Sequence, residues 1–201
     1  MRTLLLLLPS LTLLGQTAHK PAVANFKETG SASAPITLEL YTDYQCPSCR
    51  AFYMDVLPTV ISKYVATGKV RLIHRDFPLP QHSYTRTATK YANAAGQLGL
   101  YDIVAAQIFR TQPDWEQNGN VDGDVAKVVP PGEMQKIRDL VKNDPHLDDT
   151  VTADLALGNQ DRVGETPTLV IVRKGGQRQK IGGMVPLNVL ESYLDQLLAK
   201  G

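Results

Sequence analysis

The sequence predicts an α/β protein with the element order β-α-β, a block of helices, then β-β-α. Three observations predict it. Two β-prone runs, Ile36–Tyr41 and Val70–Phe77, flank a helical pattern, and the gap between them is long enough for a parallel crossover. From Tyr84 to Leu157 apolar residues recur at the helical period. A β-branched run, a glycine turn, a short antiparallel partner and an amphipathic helix then close the chain.

Taken in order, the chain opens with Arg2, an apolar run from Leu4 to Leu14 and the small-x-small site Ala22-Val23-Ala24, the pattern of a secretory signal peptide over residues 1–24. The run is short for a bilayer span, and Pro9 and Ser10 interrupt it, so an uncleaved anchor is the competing reading. The mature chain is expected to start near Asn25, outside the cytoplasm, where disulfides persist. Residues 25–34 are small and polar and read as a leader into a domain over 35–201.

Ile36 to Tyr41 is the first strand. A helix follows from Pro47, with Phe52, Val56, Val60 and Tyr64 at four-residue spacing, an interior Pro58 that predicts a kink or break, and Gly68 as C-cap. Val70 to Phe77 is the second strand, stopped by Pro78-Leu79-Pro80. Helical periods then run over Tyr84–Leu98, Leu100–Arg110, Glu133–Lys142 and Leu147–Leu157, while Thr111–Asp124 is polar, glycine-bearing and expected to be a loop. Thr168–Val172 reads as a buried strand, Lys174-Gly175-Gly176-Gln177 as a turn, Gln179–Ile181 as an antiparallel partner, and Leu187, Leu190, Leu194, Leu197 and Leu198 as one face of the last helix.

At 201 residues, 43% hydrophobic and with a net charge of +1, the chain suits one globular domain; its charge argues against nucleic-acid binding and its composition against disorder. The two cysteines, Cys46 and Cys49, stand three residues apart where the first strand hands over to the first helix. Pro47 suits the first helical position, which puts Cys46 at or beside the N-cap. Unpaired N–H groups and the positive end of the helix dipole there lower a thiol pKa and make Cys46 a nucleophile and a good leaving group. Cys49, one turn on, shares its helix face and can close a small disulfide ring. A passive disulfide is the first competing reading, but so short a loop removes little unfolded-state entropy. A zinc site is the second; it normally takes four ligands, and His74, His82 and His146 are scattered.

The residues resemble the DsbA-like branch of the thioredoxin superfamily from about Ala34 to Leu198. The resemblance is carried by Tyr41-Thr42-Asp43-Tyr44-Gln45-Cys46-Pro47-Ser48-Cys49, by Arg75-Asp76-Phe77-Pro78-Leu79-Pro80 followed by His82, and by Gly164-Glu165-Thr166-Pro167-Thr168 before a strand. It implies a thioredoxin-like fold, a central mixed sheet flanked by helices, with a helical insertion at about residues 82–160. It also implies thiol-disulfide oxidoreductase activity toward exported proteins, with neither cofactor nor metal, and a membrane quinone-linked partner that reoxidises the protein. By position, Cys46 matches the exposed nucleophile, Cys49 its buried partner, Pro47 and Ser48 the dipeptide between them, and Pro167 the cis-proline beside the disulfide. Thr166 precedes that proline, and its backbone is suited to pair with an extended substrate segment. A monomer is expected, because residues 25–35 are too few for a dimerisation module.

Two departures from the family stand out. Many members carry a buried acid six residues before the first cysteine; here that residue is Leu40, and Glu39 points by strand alternation to the opposite side, as a solvated or edge carboxylate. Ser48 stands where strong oxidases have histidine, so a milder oxidant is expected. A reductase or isomerase using the same pair is the rival within the class, and a non-catalytic peptide-binding module the rival outside it. His74-Arg75-Asp76 lacks the companions of a kinase loop. Asn118–Asp124 has the look of a calcium loop but puts Val129 where a bidentate carboxylate belongs, so a solvated loop is expected. His82 is expected to be structural, and Trp115 and Tyr101 to be packing residues.

Overall fold

The computed structural model describes residues 25–200. The expected signal peptide, residues 1–24, lies outside them.

The centre is a five-stranded sheet formed by β1 (Glu28–Thr29), β2 (Ile36–Thr42), β3 (Val70–Asp76), β4 (Thr168–Arg173) and β5 (Arg178–Gly182), in the order β1-β3-β2-β4-β5. β2 runs parallel to β3, from Ile36 opposite Val70 to Thr42 opposite Asp76, and antiparallel to β4, with Tyr41 opposite Thr168. The end of β2 therefore lies beside the start of β4, and whatever follows one meets whatever precedes the other.

Both faces of the sheet are covered, as the near-continuous apolar run of β2 requires. One face carries Ile36, Leu38, Leu40, Val70, Leu72, Leu169 and Ile171. Against it lie helix α1 (residues 47–65), through Phe52, Val56, Val60 and Tyr64, and the last helix, through Leu190 and Leu194. The four-residue spacing read from the sequence is thus a core stripe. On the opposite face Tyr41 and Val170 pack with Phe77, Val163 and Leu155.

α1 does not break at Pro58. It alternates α-helix (Pro47–Ala51, Leu57–Val60) with π-helical turns (Phe52–Val56, Ile61–Val65), and Leu57 N–H bonds back five residues to the Phe52 carbonyl. A wide turn just ahead of the proline gives its ring the room that an α-turn denies. Gly68 ends the helical run with φ +74°.

The helical block comprises α2 (Thr85–Gln97), α3 (Tyr101–Arg110), α4 (Gln112–Trp115), α5 (Val121–Val125), α6 (Pro131–Asn143) and α7 (His146–Gln160). Alanines 88, 92, 94 and 95 of α2 let it close on Val104, Ile108, Met134 and Ile137. The chain ends in α8 (Leu187–Ala199).

Two expectations are corrected. Thr111–Asp124 contains α4 and part of α5 rather than being a solvated loop. Trp115 is fully buried with its indole N–H on the Ile108 carbonyl at 2.8 Å, and Asn120 caps α5 by accepting from Gly123 N–H. Residues 25–34 are not a free leader: Glu28–Thr29 pairs antiparallel with β3, and Lys27 is 5% exposed. A two-residue strand has no period by which to be read.

Candidate redox site

β2 delivers the chain into a tight loop, residues 43–46, from which α1 starts. Cys46 is the N-cap, with extended backbone (φ −77°, ψ 119°), and Pro47 takes the first helical position. Pro47 and Ser48 are exposed, Cys49 is fully buried, and Cys46 is 7% exposed. Cys46 is therefore less open than expected of the attacking sulfur, because Thr166 covers it.

That cover follows from register. β4 begins with Thr168 opposite Tyr41, so Thr166 and Pro167 face the loop leaving β2. The Thr166–Pro167 bond is cis. The Cys46 thiol donates to the Thr166 carbonyl at 3.2 Å. The Thr166 hydroxyl is buried with no protein partner among the described residues.

The sulfurs, both in the free thiol state, have opposite tendencies. Cys46 is lowered from 9.0 to about 6, chiefly by the hydrogen bond from the Cys49 thiol. Burial opposes this; the backbone N–H groups of Cys49 and Ser48 add to it. Cys49 is pushed well above its ordinary value, first by burial and then by Cys46 itself. One sulfur is a thiolate near neutrality, while its neighbour holds a proton.

The loop is gripped from the helical block. Gln112, at the start of α4 and 2% exposed, donates from Nε2 to the carbonyls of Tyr44 at 2.5 Å and Cys46 at 3.1 Å. Tyr44 packs on Phe109, whose other neighbour is Tyr53 of α1, with ring centroids 4.7 Å and 4.6 Å apart. Asp43 sits beneath, its N–H on Cys49 Sγ at 3.5 Å, its carboxylate bonded to His82. Neither Asp43 nor Gln112 was singled out from sequence. The trace available for Asp43 was a carboxylate at the end of a run otherwise buried on both faces.

Glu39 is corrected. Alternation does turn it away from the face that holds Leu40, but α7 and β5, not water, lie on its side. It is 6% exposed and accepts from Arg75 at 2.8 Å and Arg178 at 2.6 Å. It belongs to an ion network with Asp154, Asp161 and Lys27 and is no proton acceptor for Cys49. His74 is buried against Tyr53 and Tyr101, away from the sulfurs in role, and Tyr101 is a packing residue. Among the described residues no three His, Cys, Asp or Glu side chains are grouped to hold a metal ion.

The chain is similar to disulfide bond formation protein D of Bacillus subtilis, 22% identical over 157 residues, 76% of this chain and 70% of that protein. Among solved structures it is similar to alpha-DsbA1 of Wolbachia pipientis (TM-score 0.74, 23% identity, 87% of this chain and 91% of that one). It is also similar to oxidised BdbD of Bacillus subtilis (TM-score 0.73, 21% identity, 90% and 96%). Both share the fold, a thioredoxin fold carrying a helical insertion. A family model described as Thioredoxin matches residues 27–180, which run from β1 into β5 and include the Cys46–Cys49 pair and the cis-proline, and the chain belongs to that family.

Proposed function

We propose that this protein is an extracytoplasmic thiol-disulfide oxidoreductase that introduces disulfides into exported proteins through Cys46 and Cys49. The observation that carries the reading is the asymmetry of the two thiols: Cys46, lowered to about 6, at a helix start under the cis-proline loop, and Cys49, fully buried and raised. The relatives named for disulfide bond formation point the same way.

In the oxidised protein, a substrate thiolate attacks Cys46 Sγ. The Cys46–Cys49 bond breaks, a substrate–Cys46 disulfide forms, and Cys49 leaves and takes a proton, as its raised pKa favours. A second substrate thiolate attacks the substrate's own sulfur, and Cys46 departs as a thiolate, a good leaving group at its lowered pKa. The substrate loses two electrons and the pair gains them. The backbone of Thr166 and Pro167 is suited to hold an extended substrate segment beside Cys46. Reoxidation requires an acceptor for the two electrons, and a membrane quinone-linked oxidoreductase is the proposed one. Among the described residues no helix is long and apolar enough to cross a membrane. The signal-like residues 1–24 support action outside the cytoplasm. Exposed Ser48 brings no cation to the thiolate, which favours a mild oxidant.

Cys46→Ala should abolish both oxidative refolding of a reduced protein and insulin reduction. Full activity in that variant would refute the assignment. The glutathione equilibrium then decides direction: a potential well above the cytosolic poise supports an oxidase, one near it a reductase.

A further inference from the structure

The loop that carries the cysteines rests on a buried carboxylate. Asp43 is 1% exposed, and its side chain accepts three hydrogen bonds: from Gln45 N–H at 2.7 Å, from Leu79 N–H at 2.6 Å and from His82 Nδ1 at 2.9 Å. His82 is its side-chain partner, and that imidazole reaches from the carboxylate to a partly exposed position, 21% open. The main chain of the same residue serves the sulfurs. Asp43 N–H donates to Cys49 Sγ at 3.5 Å, and its carbonyl accepts Cys46 N–H at 3.1 Å. A single residue thus ties the segment after β3 to both cysteines.

That segment is a stiff post. Pro78 and Pro80 fix φ on either side of Leu79, Phe77 N–H bonds to the Thr42 carbonyl at 2.8 Å, and His82 N–H closes a turn onto the Leu79 carbonyl at 3.1 Å. A carboxylate taken this far from water needs every one of its partners. The two backbone donors belong to the loops themselves; His82 supplies the third, and the sole one that can carry charge.

We propose that Asp43 and His82 are positioning residues for the thiol pair: the imidazole, donating to the buried carboxylate, locks the 43–46 loop where it sets a backbone donor on Cys49 Sγ and the first helical turn behind Cys46 Sγ. The inference rests on Cys46 and Cys49 being the redox pair. It differs from an ordinary buried polar contact in what it governs. An ordinary pair sets stability alone, whereas this one sets thiol chemistry too.

The test measures the glutathione equilibrium and the thiolate absorbance titration for wild type, His82→Phe and His82→Asn. Asparagine can place an N–H donor where Nδ1 stood; phenylalanine cannot. His82→Phe is expected to move the equilibrium constant about tenfold, equivalent to one pKa unit at a sulfur, while His82→Asn stays near wild type. If folded His82→Phe keeps both the equilibrium and the Cys46 midpoint of wild type, the proposal is overturned. Should that variant not fold, nitrogen NMR of the unaltered reduced protein decides. A His82 ring that carries a hydrogen-bonded proton at Nδ1, with its nitrogen shifts displaced on oxidation of the pair, supports the role. A bare Nδ1, or nitrogen shifts blind to the redox state, overturns it. If wild type itself fails to exchange with glutathione, the redox reading falls first.

Discussion

A sulfur lowered to about 6 is mostly ionised at neutral pH, and this determines how stability responds to pH. Cys46 has an ordinary value of 9.0, so its folded pKa is depressed. Its contribution to the reduced fold is complete above 9.0 and is lost as pH falls through about 6. Cys49 is shifted the other way, so its contribution is present below 9.0 and lost only above. The disulfide form has neither titration. The stability of the reduced form relative to the oxidised form should therefore grow from pH 6 to pH 9, read as denaturant midpoints of both forms across that window. A difference that stays flat would show that Cys46 is not poised. His74 adds an acid limit shared by both forms. Burial, and then the charge of Lys27, lower it from 6.5 to about 4, so stability is lost as pH falls from 6.5 through 4.

At the scale of elements, β2 has two faces with two different tasks. Leu38 and Leu40 pack under α1, while Glu39 and Tyr41 meet α7 and β5 on the other side. Glu39 is thus a tie between strands rather than part of the redox chemistry. Glu39→Leu should cost about 1.5–3 kcal/mol, the worth of a hydrogen bond to a charged group, since Arg75 keeps Asp154 and Arg178 keeps Asp161. The thiolate midpoint near 6 should not move. A displaced midpoint without loss of stability would restore Glu39 to the site. Where sequence reasoning failed for this residue, it failed on cover: alternation assigns a side chain to a face but says nothing of what lies on that face.

For the molecule as a whole, Lys27 joins three parts. It comes from the segment before β1, pairs with Asp76 at the end of β3, and with Asp154 of α7 at 2.9 Å; Asn93 of α2 also donates to Asp76, at 2.9 Å. Burial alone would lower its pKa, but the two carboxylates hold it raised. Lys27→Met should cost about 3–5 kcal/mol by removing the buried cation that two carboxylates share, leaving Asp76 with Asn93 and Asp154 with Arg75, measured by urea unfolding. Activity at low temperature should survive, since no redox group is touched. Phe26 beside it closes on Gly96 of α2, where an added Cβ would lie 2.2 Å from the ring, and this second contact binds the start of the described chain to the helical block.

By itself the sequence determined what depends on neighbours along the chain. Helical periods, the β-branched run of β4 and the placing of Cys46 at a helix start behind Pro47 are local, because propensity and capping act within a few residues. The order of elements then limited the fold to few arrangements. Tertiary structure alone decided what depends on distant partners: that Glu39 is covered, that Gln112 grips the Cys46 carbonyl, that Asp43 meets His82, and that two residues at Glu28 form a strand. Each is a contact between segments far apart in sequence. A buried polar group draws its stability from whichever partner arrives there, and no window along the chain contains that partner.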